Sequence, residues 1–506
     1  MCGQLGTGTT QAQIQKRSAR KIDMTFHLTD CELSAKDTIR GKRVFVSNSL
    51  LASKSELAAG DKLTPVMDHS KKQITLMKTD VDVKGCISVT KSGKRLVVDL
   101  HNKQVQKLFG TSIKRVVVRF YKNRLVITPT YAAIRAVARL MAARERLRNG
   151  KPLQVGEVCH GVGGLGYSIH EGLNRGSVAT KLAFANDIDN EALEASVRNN
   201  PIWDKSSIAL ACSIEQIPTE ELPQCDFLIA GLSCKGASRQ SRTGKKISSP
   251  EFHPEAGWLV APFYHLVASR INPLVVVLEN VREYLDTASA QILRECMERL
   301  GYDCHEEEIC SPNYGSLENR KRMTMVFLTR GMLATEGLSL GERLSRHHSK
   351  VIRTMKQIIN HDGSPDVPAA LDAPQSLRNG WYLKSRLLER DAEARAKGVG
   401  HRAVIAKDSD TKVSTITASY GKGVRLDETV IESPCGKWLR LMSGGEHASI
   451  KGLPASLISG LGKTAAHRVL GNSVTREPWS ALGEVLAEIV TKWADVSPFK
   501  KLALAS

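Results

Sequence analysis

DFLIAGLSCKGAS, residues 226–238, is the stretch around which the chain is organised. The apolar run 227–230 is typical of a buried strand, and it ends at Gly231. A single thiol, Cys234, follows, and residues 238–249 are polar and basic. A thiol at a rigid strand end, followed by a cationic loop, can present a nucleophile to an anionic substrate. A structural cysteine is the alternative, because free cysteines are often buried and the chain has 11.

A rhythm of strand, loop and helix extends in both directions from this stretch. The strand-like runs are LQVGEVCHG (153–161), KLAFANDID (181–189), IALACSI (208–214), DFLIAGLSC (226–234), PLVVVLENV (273–281) and MTMVFLT (323–329). Strands that alternate with helices predict an α/β domain with a mostly parallel sheet over 153–330. Ligands bind such sheets beyond the carboxyl ends of the strands. Residues 161–164, Asp187, Cys234 and Glu279 lie at such ends, so we expect them to converge.

Charge divides the chain into a basic N-terminal third and a nearly neutral remainder. Residues 1–150 hold 29 Lys+Arg and 11 Asp+Glu, a net charge of +18. The remaining 356 residues hold 43 and 41, a net charge of +2. This asymmetry favours a polyanionic partner, most simply nucleic acid, although a merely soluble basic domain is the alternative.

Composition also suggests where the domains begin and end. Residues 1–22 are predicted to be a disordered arm, 23–130 a basic β-rich domain and 131–152 a helical linker. Strands are expected in the β-rich domain at 43–48, 73–79, 86–92, 95–100, 115–121 and 124–130. Residues 331–434 lose the α/β rhythm and are predicted to form a separate, irregular module. Apolar periodicity returns over 435–494, with an amphipathic helix over 477–494, and 495–506 are a tail.

Several classes of protein are disfavoured. No run of about 18 apolar residues exists, so we expect no transmembrane helix. The first 17 residues lack the apolar segment of a signal peptide. The odd number of scattered cysteines, without a CxxC pair, argues for reduced thiols in a cytoplasm and against a disulfide framework or a metal site.

Three short motifs add chemistry to the predicted sheet. GVGG at 161–164, followed by Asp187, fits a nucleotide-cofactor loop. Glu279 closes a buried strand, where a carboxyl group tends to a raised pKa and can donate a proton to a ring nitrogen, although a cap or a salt bridge is the alternative. Arg320 and Arg322 are two apart, so an extended segment points both to one side; a solvated face is the alternative.

In this order along the chain, the motifs resemble those of the DNA cytosine-5 methyltransferases of prokaryotic, phage or plasmid type. The resemblance covers about 153–330 and 436–490. It assigns catalytic positions to Cys234, Glu279, Asn280, Arg320 and Arg322. It assigns cofactor-binding positions to Glu157, Gly161, Gly163, Gly164, Asp187, Ile188, Gly231, Asn472, Ser473 and Val474. The loop cations that would close over DNA phosphates are Arg239, Arg242, Lys245 and Lys246.

The resemblance implies a Rossmann-like sheet that binds S-adenosylmethionine, with no metal and with residues 331–434 as the target-recognition region. It implies that Cys234 adds to carbon 6 of a cytosine flipped out of double-stranded DNA while Glu279 protonates the ring nitrogen. Arg322, with Arg320, would hold the base carbonyl oxygen, and carbon 5 would take the methyl group. We expect a monomer in the bacterial cytoplasm or nucleoid; a cognate restriction endonuclease is left open.

The sequence departs from the family pattern around the thiol. Ser213 stands where the family has an acid near the adenine, Ser233 where it has Pro, and residues 235–237 read KGA. Glu318 replaces the family's Gln. These departures leave open a catalytically degenerate DNA-binding or regulatory protein on the same fold, and RNA cytosine-5 methylation is a second alternative. The N-terminal domain is expected to make a charge-driven DNA contact; autoregulation or a protein contact are its alternatives.

Overall fold

The computed structural model divides the chain into two compact units, Met1–Ile134 and Arg135–Ser506. The division falls inside the helix that the sequence predicted as a linker. The structure describes residues 30–81, 85–110, 113–237, 249–254, 256–332, 338–351, 353–359, 381–398, 403–424, 426–433 and 436–495. The predicted arm over 1–22 lies outside these residues, as does the tail except for residue 495. No described helix is both long enough and apolar enough to cross a membrane.

The first unit is β-rich, as predicted. Its strands are β1 (Asp30–Thr38), β2 (Gly41–Ser47), β3 (Lys62–Asp68), β4 (Gln73–Thr79), β5 (Ile87–Ser88), β6 (Thr90–Ser92), β7 (Arg95–Asn102), β8 (Arg115–Tyr121) and β9 (Arg124–Pro129). Its helices are α1 (Leu50–Ser53) and α2 (Lys103–Phe109). Neighbours in the sheet follow the order β5-β3-β4-β9-β8-β1-β2-β7-β6, and every pair is antiparallel.

Alternating burial explains these strands. Along β8 and β9 apolar side chains such as Val118 and Leu125 are fully buried at every second position, while Arg115 and Arg124 at the strand starts face outward. This period of two is what a sheet with one apolar face requires. Strand β1 was not predicted, because its sequence DCELSAKDT has few of the β-branched and aromatic residues that mark strands.

A seven-stranded sheet organises the second unit. Its strands are β10 (Leu153–Val158), β11 (Thr180–Asp187), β12 (Ile208–Ala211), β13 (Phe227–Gly231), β14 (Val275–Asn280), β15 (Tyr302–Cys310) and β17 (Lys321–Thr329). Their order across the sheet is β12-β11-β10-β13-β14-β17-β15. Strands β10 to β14 pair in parallel, whereas β17 is antiparallel to both of its neighbours. The predicted mostly parallel sheet is confirmed.

Helices cover both faces of this sheet. The helices from residue 131 onward are α3 (Tyr131–Arg148), α4 (Gly164–Arg175), α5 (Asn190–Asn199), α6 (Val260–Ala268), α7 (Ala288–Arg299), α8 (Leu340–Ser345), α9 (Lys384–Ala396), α10 (Gly444–Ile450), α11 (Lys463–Asn472) and α12 (Arg476–Asp495). Ile229 packs with α12 on one face, and Leu228 packs with α6 and α7 on the other. Burial on both faces explains the continuous apolar runs of the central strands.

The region predicted as irregular forms a smaller sheet. Its strands are β18 (Trp381–Leu383), β19 (Val404–Ala406), β21 (Thr429–Glu432) and β22 (Trp438–Arg440), in the order β18-β22-β21-β19. Strand β22 lies beyond the expected boundary at 434. A separate pair joins β16 (Glu318–Asn319) to β20 (Val413–Ser414), so this region is tied to the start of β17.

The contact between α4 and α12 predicts a stability effect. A Cβ added to Gly172 would lie 2.0 Å from the Ser480 carbonyl oxygen, so the two helix backbones are too close for a methyl group. We expect Gly172→Ala to lower the free energy of unfolding by about 1–3 kcal/mol through overpacking. The matched control is Gly445→Ala in α10, whose Cβ would meet nothing closer than 3.9 Å. Chemical denaturation measures both; equal stabilities would contradict the prediction.

Candidate active site

The thiol lies where strands β13 and β14 end together. Parallel pairing sets Gly231 opposite Glu279, and Cys234 follows three residues later in a turn that Ala237 closes by donating to the Cys234 carbonyl at 3.0 Å. Asn280 donates from Nδ2 to the Leu232 carbonyl oxygen at 3.1 Å. The side chain of Asn280 therefore ties down the loop that carries Cys234.

The reversed strand β17 brings arginine to the same place. Because β17 runs against β14, its first residues meet the last residues of β14, and Asn280 pairs with Met323. Arg322 Nε lies 3.0 Å from Glu279 Oε1, and both side chains are largely buried. The predicted convergence of Cys234 and Glu279 is thus present in the structure, and Arg322 joins them.

Burial and charge set the proton affinities of this cluster. Burial raises the pKa of the Cys234 thiol, Arg322 and Arg320 oppose this rise, and Glu279 adds to it. Burial also raises the pKa of Glu279 even though both arginines favour its charged form. A carboxyl group that keeps its proton to higher pH suits donation to a ring nitrogen. The arginines in turn favour the thiolate, the nucleophilic form of cysteine.

Arg320 lies deeper than Arg322 and belongs to a buried charge cluster. Its Nη2 donates to the Gly471 carbonyl oxygen at 3.0 Å, and its Nη1 is 3.4 Å from Glu318 Oε1. Lys451 Nζ lies 2.6 Å from Glu318 Oε2, and the Ile416 amide donates to Oε1 at 2.9 Å. Lys451 thus supplies a countercharge for the glutamate that replaces the family's glutamine.

Sequence reasoning missed Lys451. Its side chain is fully buried, as is that of Glu318. Burial and the nearby Arg320 lower the pKa of Lys451, while Lys451 and Arg320 hold the pKa of Glu318 below its ordinary value. The available signal was Glu318 itself, because a buried carboxylate needs a cation. The pattern did not say which of 72 Lys and Arg residues would supply it.

The buried pair predicts a coupled response to substitution. Lys451→Met leaves Glu318 buried with a weaker set of partners, so we expect a loss of about 3–5 kcal/mol in the free energy of unfolding. The double variant Glu318→Gln, Lys451→Met removes both charges and should recover most of that loss. Denaturant titration of the single and double variants completes the cycle. Additive losses would contradict the coupling.

The glycine loop and the end of β11 form the second part of the site. The Gly161 amide donates to Asp187 Oδ2 at 2.5 Å, and Asp187 Oδ1 accepts from the Asp189 amide at 2.8 Å. Ile188 is 76% exposed although it is apolar, and the space around a Cβ at Gly161 is open. A carboxylate, an exposed aliphatic side chain and a loop without side chains together fit the ribose and adenine of a nucleoside cofactor.

Other predicted cofactor residues support this loop. Glu157 is buried beneath it, with Oε2 at 2.7 Å from His160 Nδ1 and Oε1 at 3.5 Å from His170 Nε2. The two histidines hold the pKa of Glu157 at about 2, although burial alone would raise it. The Gly163 amide donates to the His160 carbonyl oxygen at 2.8 Å.

The C-terminal segment meets the loop from the other side. A Cβ on Gly164 would lie 2.2 Å from Ser473 Oγ, so the loop and the C-terminal segment are in contact. Asn472 is exposed at the end of α11, whereas Val474 is buried in the core. Arg239, Arg242, Lys245 and Lys246 lie outside the described residues. Among the described residues, no group of three or more His, Cys, Asp or Glu could hold a metal ion.

Comparison with known proteins decides the family. The sequence model for the C-5 cytosine-specific DNA methylases matches residues 153–488. The chain belongs to this family. The predicted resemblance is confirmed, and the protein is a DNA cytosine-5 methyltransferase. Residues 1–152 precede the matched region.

Curated and solved relatives agree with this family. The methyltransferase is 22% identical over 416 residues to Type II methyltransferase M1.ScrFI of Lactococcus lactis subsp. cremoris, across 80% of this chain and 96% of the relative. It is 22% identical over 437 residues to Type II methyltransferase M.BsuFI of Bacillus subtilis, across 83% and 93%. The solved structure of S. pombe Dnmt2 methyltransferase shares the fold with a TM-score of 0.50 and 17% identity, covering 67% of this chain and 99% of that chain.

The cluster of Cys234, Glu279 and Arg322 predicts that one substitution favours alkylation of the thiol but slows methyl transfer. Glu279→Gln removes a negative charge that raises the pKa of Cys234, so alkylation of the thiol by iodoacetamide should reach half its maximum rate at a lower pH. If Glu279 is the proton donor that the resemblance implies, methyl transfer should nevertheless fall by about 10²–10⁴. Asp286→Asn, on an exposed side chain, is the control. An unchanged alkylation profile would contradict this electrostatic assignment.

Proposed function

We propose that the enzyme methylates carbon 5 of a flipped-out cytosine in double-stranded DNA, with Cys234 as nucleophile and S-adenosylmethionine as methyl donor. The observation that carries the proposal is the convergence of Cys234, Glu279 and Arg322 at one edge of the sheet, with Asp187 at the end of β11 on the same edge. Membership of the family supports this cofactor in general.

The chemistry follows from the surroundings of the thiol. The Cys234 thiolate forms a bond to carbon 6, and the ring electron pair that this displaces makes carbon 5 nucleophilic. Glu279 gives a proton to the ring nitrogen as charge develops there, and Arg322 holds the base carbonyl oxygen. The bound cofactor supplies the methyl group that carbon 5 takes. Loss of the carbon 5 proton to a base then restores the ring double bond, and the sulfur leaves as thiolate.

Asn280 and Arg320 act in this proposal as positioning residues. Asn280 holds the loop before Cys234 through the Leu232 carbonyl oxygen. Arg320 connects Glu318 to the Gly471 carbonyl oxygen and favours the thiolate from a distance. Neither contact would reach the base, so their substitution should act through the geometry of Cys234 and Arg322.

The proposed cofactor site consists of the loop 161–164 and the end of β11 at Asp187. The Asp187 carboxylate would accept hydrogen bonds from the ribose hydroxyls, and Ile188 would cover the adenine face. The backbone of residues 161–164 would approach the methionine part of the cofactor. Ser473 touches this loop. The other predicted cofactor residues would support the shape of this site and would not bind the cofactor through a charged side chain. They are Glu157, Gly231, Asn472 and Val474.

Target recognition and cellular context complete the proposal. Residues 331–434 would read base edges, and the cations of the loop 238–249 would contact phosphates. The enzyme would act as a monomer in a bacterial cytoplasm, beside a cognate restriction endonuclease or alone. The named relatives are Type II methyltransferases, which supports a place in a restriction–modification system.

The alternative hypothesis is a catalytically degenerate DNA-binding protein. It is motivated by Ser233 and residues 235–237, which depart from the family pattern around the thiol. The intact group of Cys234, Glu279 and Arg322 favours the enzyme, because a binding protein has no need of a buried thiol beside a paired carboxyl group and guanidinium. Covalent capture on DNA that contains 5-fluorocytosine, with the cofactor present, separates the two.

Substitution of the thiol tests the proposal. Cys234→Ser should abolish methylation, since a serine hydroxyl is far less nucleophilic at neutral pH, while cofactor affinity is kept. The matched control is Cys296→Ser in α7, a half-buried thiol that belongs to none of the motifs. Bisulfite sequencing of DNA from cells that express each variant measures activity and reads the target sequence. Labelled methyl transfer to DNA and to RNA excludes the RNA alternative, and near-normal methylation by the Cys234 variant would refute the assignment.

A further inference from the structure

The first unit is built from two equivalent halves. Each half follows the order strand, strand, helix, strand, strand: β1-β2-α1-β3-β4, then β5/β6-β7-α2-β8-β9. Only Val89 separates β5 from β6, so these two act as one interrupted strand. Each half has Gly-Lys-Arg at the start of its second strand, at residues 41–43 and 93–95. This similarity was not apparent from charge or composition.

The strand pairings obey the same equivalence. Strand β2 pairs with its counterpart β7, and β4 pairs with its counterpart β9. The pair β1–β8 corresponds to the pair β5–β3. Because β5 pairs with β3 while β6 pairs with β7, the strands close into a ring. The unit therefore has an approximate two-fold axis that passes between β2 and β7 and between β4 and β9.

Many Lys and Arg side chains of this unit form ion pairs with Asp and Glu side chains of the same unit. Lys78 lies 2.9 Å from Asp61, and Lys122 lies 2.9 Å from Glu56. Lys114 and Arg115 also pair with carboxylates. Six exposed cations at the two ends of the β2–β7 pair have no carboxylate within 4 Å among the described residues. They are Lys36, Arg40 and Lys103 at one end, and Lys91, Lys94 and Arg95 at the other.

The pairings place each group of three together. At the first end, the turn after β1 contains Arg40, and a Cβ on Gly41 would lie 2.8 Å from the Lys103 amide nitrogen. At the second end, Lys94 occupies the turn of the β6–β7 hairpin, in which Ser92 pairs with Arg95. The approximate two-fold axis exchanges the two ends.

The distance between the two basic ends is close to one helical turn of B-DNA. The β2–β7 register puts Arg40 and Arg95 about nine residues of strand apart, which is about 30 Å at the usual rise per residue. One turn of B-DNA spans about 34–36 Å, and the two DNA backbones are themselves related by two-fold axes. Unmatched cations release counterions from phosphates when they bind, which is the main source of sequence-independent affinity.

We propose that the first unit binds double-stranded DNA through these two basic ends, which contact phosphates about one helical turn apart. The contact is made outside the family-matched region and extends the proposed function, because it would hold the catalytic unit on its substrate polymer. It requires no base-specific contact. RNA duplexes have a different groove geometry and are the less suitable partner.

The full chain, with three neutralising substitutions, tests the proposal. Arg40→Gln, Lys94→Gln and Arg95→Gln remove charge from both ends. The charge-matched control is Lys71→Gln, Lys72→Gln and Lys122→Gln, which lie in the turns of the other two hairpins. Fluorescence anisotropy measures binding to a duplex of about 25 A·T base pairs over a range of salt concentrations, with circular dichroism as the check on folding. A duplex without cytosine keeps methylation out of the readout, so failure of the Cys234 assignment would leave this result unaffected.

The end variant should bind the A·T duplex about tenfold or more weakly than the unmodified chain at low salt, and the slope of log K against log salt should fall in magnitude by about 2–3. The control variant should lose clearly less of both. Equal losses in the two variants, or an unchanged slope in the end variant, would overturn the proposal. A loss seen with an RNA duplex but not with DNA would also overturn it.

Discussion

The reversed strand β17 is the constraint on which the active site depends. Parallel strands deliver their following loops to one edge of a sheet, which is how the residues after β10, β11, β13 and β14 meet. An arginine at the beginning of a strand reaches that edge only if the strand runs the other way. The antiparallel register of β17 with β14 does this, and it sets Arg322 against Glu279 at 3.0 Å. The ion pair keeps two largely buried charges in place beside Cys234.

A second buried pair explains how the chain tolerates a departure from its family. Glu318 and Lys451 carry opposite charges in an interior where either alone would be costly. Because Glu318 also accepts from the Ile416 amide, the pair joins β16, just before β17, to the segment that follows β20. The orientation of Arg320, and through it the field at Cys234, therefore depends on residues more than 100 positions apart in the chain.

Local pattern predicted much of the fold. Strands at 73–79 and 115–121 agree with the structure to the residue, because alternation and β-branched side chains marked them. Strands β1 and β3 were missed, since β1 is largely polar and β3 contains Pro65. In the site, Cys234, Glu279 and Arg322 were predicted and are brought together. Lys451 was not, because its role depends on a partner that lies 133 residues earlier in the chain.

The sequence by itself determined the strand and helix rhythm, the basic character of the first unit and the chemical groups at the strand ends, since each depends on neighbouring residues. Only the tertiary structure decided the direction of β17, the pairing of Glu318 with Lys451 and the two-fold order of the first unit. These features depend on which distant strands pair and in what register. Pairing is selected by the packing of the whole core, and neither motif spacing nor composition records it.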